Sequence, residues 1–176
     1  MNRLSSRRAV LSAVVATVLL GLTWEPSRTA GAADEKRMIG GVEEVLLLPW
    51  GLTVRARVDT GAAISSVDAR AIEVRGEEGA RTVHFTLVGG DERQLPVTLP
   101  LGGPRLVRTP GGQSRRRPVV LIEICVAGVR TMTEVTLNDR SRLRHRVLLG
   151  RNLLEGRFVV DVARALTAPP ACPSAP

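Results

Sequence analysis

Short apolar stretches that end at glycine or proline run through most of this chain and restrict it to a fold of many short strands. Several alternate strictly, as in residues 53–58, where Arg55 and Arg57 face away from the apolar side. Strands are predicted at residues 42–48, 53–58, 82–88, 94–99, 106–108, 118–126, 131–137, 147–149 and 157–162. The pattern indicates an all-β barrel or sandwich.

Helical periodicity is scarce, and only one or two short helices are predicted, at residues 67–72 and 152–155. Turns are predicted at 89–91 and 110–112, each rich in glycine. Because aromatic residues make up only 2% of the chain, the core has to be built from Val, Leu, Ile and Ala.

The N-terminus has the plan of an export signal. Arg3, Arg7 and Arg8 precede an uncharged run over residues 9–22, which is shorter than the roughly 20 residues of a membrane-spanning helix. Ala30-Gly31-Ala32 then supplies a small-residue cleavage site. We expect a signal peptide at 1–32, of the general secretory or twin-arginine type, with an uncleaved anchor as the alternative.

Cleavage would leave a domain at 33–166 and an Ala/Pro-rich tail at 167–176, which is predicted to be disordered. The protein is therefore expected to be periplasmic or extracellular, without a stable membrane anchor. Loss of residues 1–32 removes four arginines and one glutamate, which lowers the formal net charge from +8 to +5. With so few aromatic side chains to stack on bases, a nucleic-acid partner is not expected.

Cofactor signatures are missing from the sequence. Gly89-Gly90 and Gly111-Gly112 lack the Lys-Ser/Thr that follows the glycines of a phosphate-binding loop, so ATP is not expected as a partner. His84 and His145 stand far apart and belong to no zinc-binding motif, so no metal or other cofactor is predicted.

The most specific chemical feature is Asp59-Thr60-Gly61-Ala62, which follows an apolar strand. Asp59 can activate water, the Thr60 hydroxyl can brace the loop, and Gly61 permits close approach of backbone and substrate. Asp-Thr-Gly is also a good turn sequence, so the motif alone does not establish catalysis.

Combined with Leu148-Leu149-Gly150-Arg151, this loop resembles that of retropepsin-like aspartic proteases, the family of the retroviral enzymes. The order also matches, with flap glycines at Gly111 and Gly112 and an inner strand at 121–125. Residues 38–162 are similar to a bacterial group described as ATP-dependent zinc proteases and placed with this fold. The sequence does not support the zinc part of that description.

The resemblance implies a closed acid-protease barrel with a glycine-tipped flap hairpin. It implies an exported aspartic endopeptidase that cleaves a peptide or protein substrate, with Asp59 of each subunit meeting in a homodimer. The alternative is a non-catalytic peptide- or envelope-binding module on the same fold. Where the retroviral enzymes place a second Asp, this chain has Ala63, so Arg151 is expected to pair with Asp68 or Asp139 instead.

Two further features leave alternatives open. Arg115-Arg116-Arg117 beside the flap could select acidic peptides, but a solvated surface run is favoured. Cys125 and Cys172 could form a disulfide outside the cytoplasm. Two free thiols, or a tail cysteine that pairs between chains, are favoured because Cys125 is expected to face inward.

Overall fold

A computed structural model describes residues 35–108 and 112–172. They form eleven strands and one short helix: β1 Arg37–Gly40, β2 Val42–Leu48, β3 Leu52–Val58, β4 Ser65–Arg75, β5 Thr82–Val88, β6 Gln94–Pro100, β7 Pro104–Arg108, β8 Ser114–Val126, β9 Val129–Asn138, β10 Val147–Leu149, α1 Arg151–Leu154 and β11 Phe158–Asp161.

Six of the strands close into a barrel in the order β10-β3-β2-β8-β9-β4. The three-residue β10 completes the ring, because Val147 pairs with Ala56 of β3 on one side and with Val67 of β4 on the other. Alternating aliphatic side chains fill the interior, including the fully buried Val45 and Ile124. The predicted all-β, retropepsin-like barrel is confirmed.

The helix predicted at 67–72 is wrong, because these residues lie within the long strand β4. This strand pairs with β9 and β10 at its start and with β5 further on, and its register shifts between Arg70 and Glu73. Ala71 takes a positive φ of 50° there. The bulge breaks the two-residue alternation, which explains the helix-like spacing of apolar residues. The helix predicted at 152–155 corresponds to α1.

Two hairpins extend the barrel. Strands β5 and β6 continue outward from β4, with Val83 opposite Leu99. Strands β7 and β8 form the predicted flap hairpin, paired as far as Arg108 and Ser114. Gly112 has a φ of 76°, which suits glycine, whereas its predicted companion Gly111 lies outside the described residues. The predicted signal peptide at 1–32 is also outside them.

The C-terminal strap, residues 162–172, is held to the barrel by a buried carboxylate. Glu43 is fully buried and accepts hydrogen bonds from Gly40 N (2.5 Å), Thr167 N (2.9 Å) and Thr167 Oγ1 (2.6 Å). Leu166 N also donates to Val42 O. The disorder predicted from residue 167 onward therefore does not hold for residues 167–172.

A disulfide between Cys125 and Cys172 fastens the end of the strap, so the preference for free or interchain thiols is wrong. Cys125 is fully buried near the end of β8, as expected, but the strap comes to meet it there. Their Cα atoms are 6.1 Å apart, a separation that a disulfide spans. The sequence alone did not reveal this approach because the strap carries no strand pattern.

We predict that Glu43→Gln lowers the free energy of unfolding by about 1–3 kcal/mol, because an amide replaces one of the oxygens that accept buried donors. Urea denaturation measures the change. The matched control is Glu44→Gln on the next residue, which is half-buried and should unfold within about 0.5 kcal/mol of wild type. Equal stability of both variants would contradict the conclusion that Glu43 holds the C-terminal strap to the barrel.

We predict that Cys172→Ser lowers the free energy of unfolding by about 2–4 kcal/mol, because the disulfide closes a loop between residues 47 positions apart. Denaturation in a reducing agent provides the control, since it should bring wild type down to the stability of the variant. A stability gap that survives reduction would contradict the assignment.

Candidate active site

Asp59 stands at the end of β3, where the chain turns away from the barrel. Its backbone N donates to Leu149 O of β10 (2.9 Å), which ties the start of the loop to the barrel wall. Its carboxylate Oδ1 accepts hydrogen bonds from Gly61 N (3.0 Å) and Ala62 N (3.2 Å). The loop amides thus fix the orientation of a half-exposed carboxylate, while Thr60 beside it is exposed.

The segment Leu148-Leu149-Gly150-Arg151 lies directly against this loop, as the predicted pairing of the two motifs requires. A Cβ on Gly150 would lie 2.6 Å from the carbonyl carbon of Ile64, so the backbones approach more closely than any side chain permits. Arg151 N donates to Ala62 O (2.9 Å). Because Gly150 has no side chain and α1 begins at the next residue, this segment packs closely against the Asp59 loop.

Arg151 does not pair with Asp68 or Asp139, and this expectation is wrong. Its Nη1 donates to Thr60 O (3.2 Å) and Gly61 O (2.8 Å). With Ala63 in place of a carboxylate, the loop carbonyls are the nearest acceptors. Arg151 thereby braces the Asp59 loop through its backbone.

The two predicted acidic partners are engaged elsewhere. Asp68 has a fully buried side chain and accepts hydrogen bonds from Arg140 N (2.7 Å) and Arg146 Nη1 (2.5 Å). Asp139 Oδ1 accepts from Ser141 N (2.9 Å), and hydrogen bonding from the Ser141 hydroxyl and then from this backbone amide lowers the pKa of Asp139. Asp68 therefore anchors residues 139–146. This segment is called the cavity loop, because Arg140, Arg144 and His145 line a cavity beside Asp59.

Asn152 forms a partly buried network that the sequence analysis did not single out. Its Oδ1 accepts from Ser65 N and Ser65 Oγ, both at 2.9 Å, and its Nδ2 donates to Thr133 Oγ1 (2.8 Å) and Glu134 O (2.7 Å). Ser65 Oγ also accepts from Gly150 N (3.0 Å). In the sequence, the position of Asn152 next to Gly150-Arg151 was the one indication that it belongs to the site. Its hydrogen-bond partners are distant in sequence and can be identified only in the folded structure.

A cavity of about 510 Å³ opens beside Asp59. Val107 of β7 lines it, so the flap hairpin forms part of its wall. Four arginines line it as well, and they are Arg57, Arg117, Arg140 and Arg144. The rest of the lining is partly polar and partly apolar: Ser66, Thr136, Asn138 and His145 on one hand, and Ala62, Ile64, Leu143 and Leu148 on the other. The cavity offers many hydrogen-bond donors next to one carboxylate.

The arginines shape the electrostatics of the cavity. Burial lowers the pKa of His145, and the adjacent charge of Arg144 lowers it further, so the imidazole is neutral at pH 7. Burial and Arg115 lower the pKa of Arg117, although a guanidinium keeps its charge at neutral pH. Of the predicted surface run, Arg115 and Arg116 are exposed, whereas Arg117 belongs to the cavity lining.

Within residues 35–108 and 112–172, no three His, Cys, Asp or Glu side chains lie close enough together to hold a metal ion. No helix in the described chain has the length and apolar character needed to cross a bilayer.

We predict that Asn152→Asp lowers the free energy of unfolding by about 1–3 kcal/mol, because a carboxylate oxygen would face the Glu134 carbonyl in a partly buried site. Asn138→Asp is the matched control, since Asn138 is half-buried and its side-chain amide bonds, within the described residues, only to Asp139 O. Thermal and urea unfolding give both values. A loss no larger for Asn152 than for Asn138 would contradict the role of the network.

Comparison with known proteins links this site to a family. Residues 38–171 match the family described as RimB-like, retropepsin-like aspartic endopeptidase RimB. The crystal structure of Lpg0085 from Legionella pneumophila, a protein of unknown function, superposes with a TM-score of 0.63 at 29% identity. The match covers 74% of this chain and 97% of that one.

Curated relatives include probable alpha-L-glutamate ligases. The protein from Parasynechococcus marenigrum is 33% identical over 131 residues, or 72% of this chain, and that from Shewanella pealeana is 30% identical over 133 residues, or 73%. The match spans only 28% and 29% of these relatives. Because the family match extends over most of the chain, this protein belongs to the RimB-like family of retropepsin-like aspartic endopeptidases.

Proposed function

We propose that this protein is an aspartic endopeptidase in which two copies of Asp59, one from each subunit of a homodimer, activate a water molecule. The observation that carries the proposal is the Asp59 carboxylate, which is oriented by the Gly61 and Ala62 amides at the mouth of a cavity walled by the flap hairpin.

The chemistry explains why a second copy is required. One carboxylate has to be ionised to take a proton from water while the other is protonated to give one to the substrate carbonyl oxygen. Asp68 and Asp139 do not supply the second carboxylate, because Asp68 is fully buried and bonded to two arginines of the cavity loop, and Asp139 is exposed and accepts from Ser141 N. A two-fold axis beside the exposed Thr60 would bring a second Asp59 to the first.

Hydrolysis then follows from these two groups. The ionised Asp59 removes a proton as the water oxygen attacks the peptide carbonyl carbon, and its partner protonates the carbonyl oxygen. The tetrahedral intermediate collapses when the carbon–nitrogen bond breaks: the first Asp59, now protonated, gives its proton to the amine nitrogen, and the second Asp59, now ionised, takes a hydroxyl proton from the intermediate, which restores the starting pair. An extended peptide would lie along the flap strands, where Val107 faces the cavity.

We also propose that the protein works outside the cytoplasm. The Cys125–Cys172 disulfide supports this location, because such bonds form and persist in oxidising compartments. The N-terminal segment expected to direct export contributes independent support from the sequence.

The names of the curated relatives bear on the substrate. Proteins named for ligating alpha-L-glutamate share this stretch of sequence. Together with four arginines in the cavity, this supports a glutamate-containing peptide as the substrate.

The test uses the purified protein and an unbiased peptide mixture, from acid to neutral pH, with cleavage read by mass spectrometry. We expect Asp59→Asn to lower cleavage by about a hundred- to ten-thousandfold, because it removes the group that takes and gives the proton. Asp91→Asn is the matched control, since this exposed Asp also accepts a turn amide, from Arg93 N, but lies away from the cavity. Cleavage should persist in a chelator.

Two outcomes would contradict the proposal. Cleavage that chelation abolishes would indicate a metal-dependent peptidase. Absence of cleavage by wild type, at concentrations where sedimentation shows a dimer, would instead favour a peptide-binding module.

A further inference from the structure

We propose that Ser66 and Arg140 form a carboxylate-binding subsite beside Asp59 and determine which peptides the protein accepts. The inference rests on the proposed peptidase function. In the cavity beside Asp59, Asp59 would carry out the reaction, and Ser66 and Arg140 would recognise the substrate.

Ser66 supplies the first group. It is only 5% exposed, and in the described chain its Oγ has no hydrogen-bond partner. Strand register places it opposite Thr136 of β9 and Leu148 of β10, both of which line the cavity with it. Its neighbour Ser65, by contrast, is fully engaged by Asn152 and Gly150. A buried hydroxyl without a hydrogen-bond partner is costly, so a ligand that accepts a hydrogen bond from Ser66 Oγ gains binding free energy.

Arg140 supplies the second group. It is 7% exposed and held rigidly, because its backbone N donates to Asp68 Oδ1 and its Nε donates to His145 O (3.1 Å). Its two Nη groups donate no hydrogen bond to residues 35–108 and 112–172, and the guanidinium lies within the electrostatic influence of Asp68 and Asp59. A fixed guanidinium with free donors matches a carboxylate in shape and charge.

The surroundings favour an anion at this position. Arg57, Arg117 and Arg144 line the same cavity, and Asp59 is the one carboxylate among the lining residues. His145 is neutral and has a buried Nδ1 without a partner in the described chain, which adds a further polar contact. Two sources could present the carboxylate, namely a glutamate or aspartate side chain next to the cleaved bond, or the free C-terminus of the peptide.

The experiment compares peptides that differ only in the carboxylate. Around one cleavage site, Glu is exchanged for Gln position by position, and each peptide is made with a free or an amidated C-terminus. We expect wild type to prefer the carboxylate form at one location by about tenfold or more in kcat/KM. Glu→Gln sensitivity identifies a side-chain carboxylate, and sensitivity to amidation identifies the C-terminus.

Ser66→Ala should reduce that preference by about tenfold, because a hydrogen bond to a charged group is lost. Arg140→Lys, which keeps the charge but loses the planar fork, should also reduce it. Thr131→Val is the matched control, because Thr131 Oγ1 is likewise buried without a partner in the described chain but lies outside the cavity lining. This control should keep the wild-type preference and activity.

Equilibrium binding to Asp59→Asn protein, read by fluorescence anisotropy with the same labelled peptides, separates the two proposals. Carboxylate-selective binding that Ser66→Ala weakens, without cleavage by wild type, would support the subsite and overturn the peptidase. Cleavage with no carboxylate preference, or with a preference that Ser66→Ala leaves intact, would overturn the subsite and leave the peptidase standing.

Discussion

The pairing of β10 between β3 and β4 is the interaction on which the rest of this structure depends. Three residues close the barrel, and the last of them, Leu149, accepts the hydrogen bond from Asp59 N. Because the same strand completes the sheet and positions the loop, the candidate site cannot form until the barrel is closed. Gly150 then allows the chain to pass beneath Ile64 without a steric clash.

Directly after Gly150, the chain is held by polar contacts rather than by apolar packing. The Asn152 amide satisfies Ser65, Thr133 and Glu134 at once, and Arg151 holds the carbonyls of the Asp loop. These bonds lie within one chain, so the orientation of Asp59 is set by the folding of that chain alone. Buried networks of this kind are rigid when every donor and acceptor is matched.

Much of the fold was predictable because strand alternation and turn residues are local signals. Residues 42–48 and 147–149 were predicted at their observed bounds, and the Asp59 loop was paired with Gly150-Arg151 through family resemblance. The helix predicted at 67–72 failed because a bulge at Ala71 imitates helical spacing.

Other features depend on contacts between distant residues, which local patterns do not reveal. The Cys125–Cys172 disulfide and the hydrogen bonds from Thr167 to Glu43 form only because residues 162–172 fold back against the barrel. The partners of Arg151 are backbone carbonyls, which carry no sequence signature. The role inferred for Ser66 depends on a buried hydroxyl that has no hydrogen-bond partner in the described chain, and only a three-dimensional structure shows this.

The parallel pairing of β1 with β11 has a consequence for how the protein assembles. Arg37 lies opposite Phe158 and Gly40 opposite Asp161, so the first and last strands of the domain complete each other within a single chain. A second copy would thus meet a subunit whose β1 and β11 are already paired with each other. In the proposed homodimer, folding and association would be separate steps, and the concentration of folded subunits would set how many paired sites form.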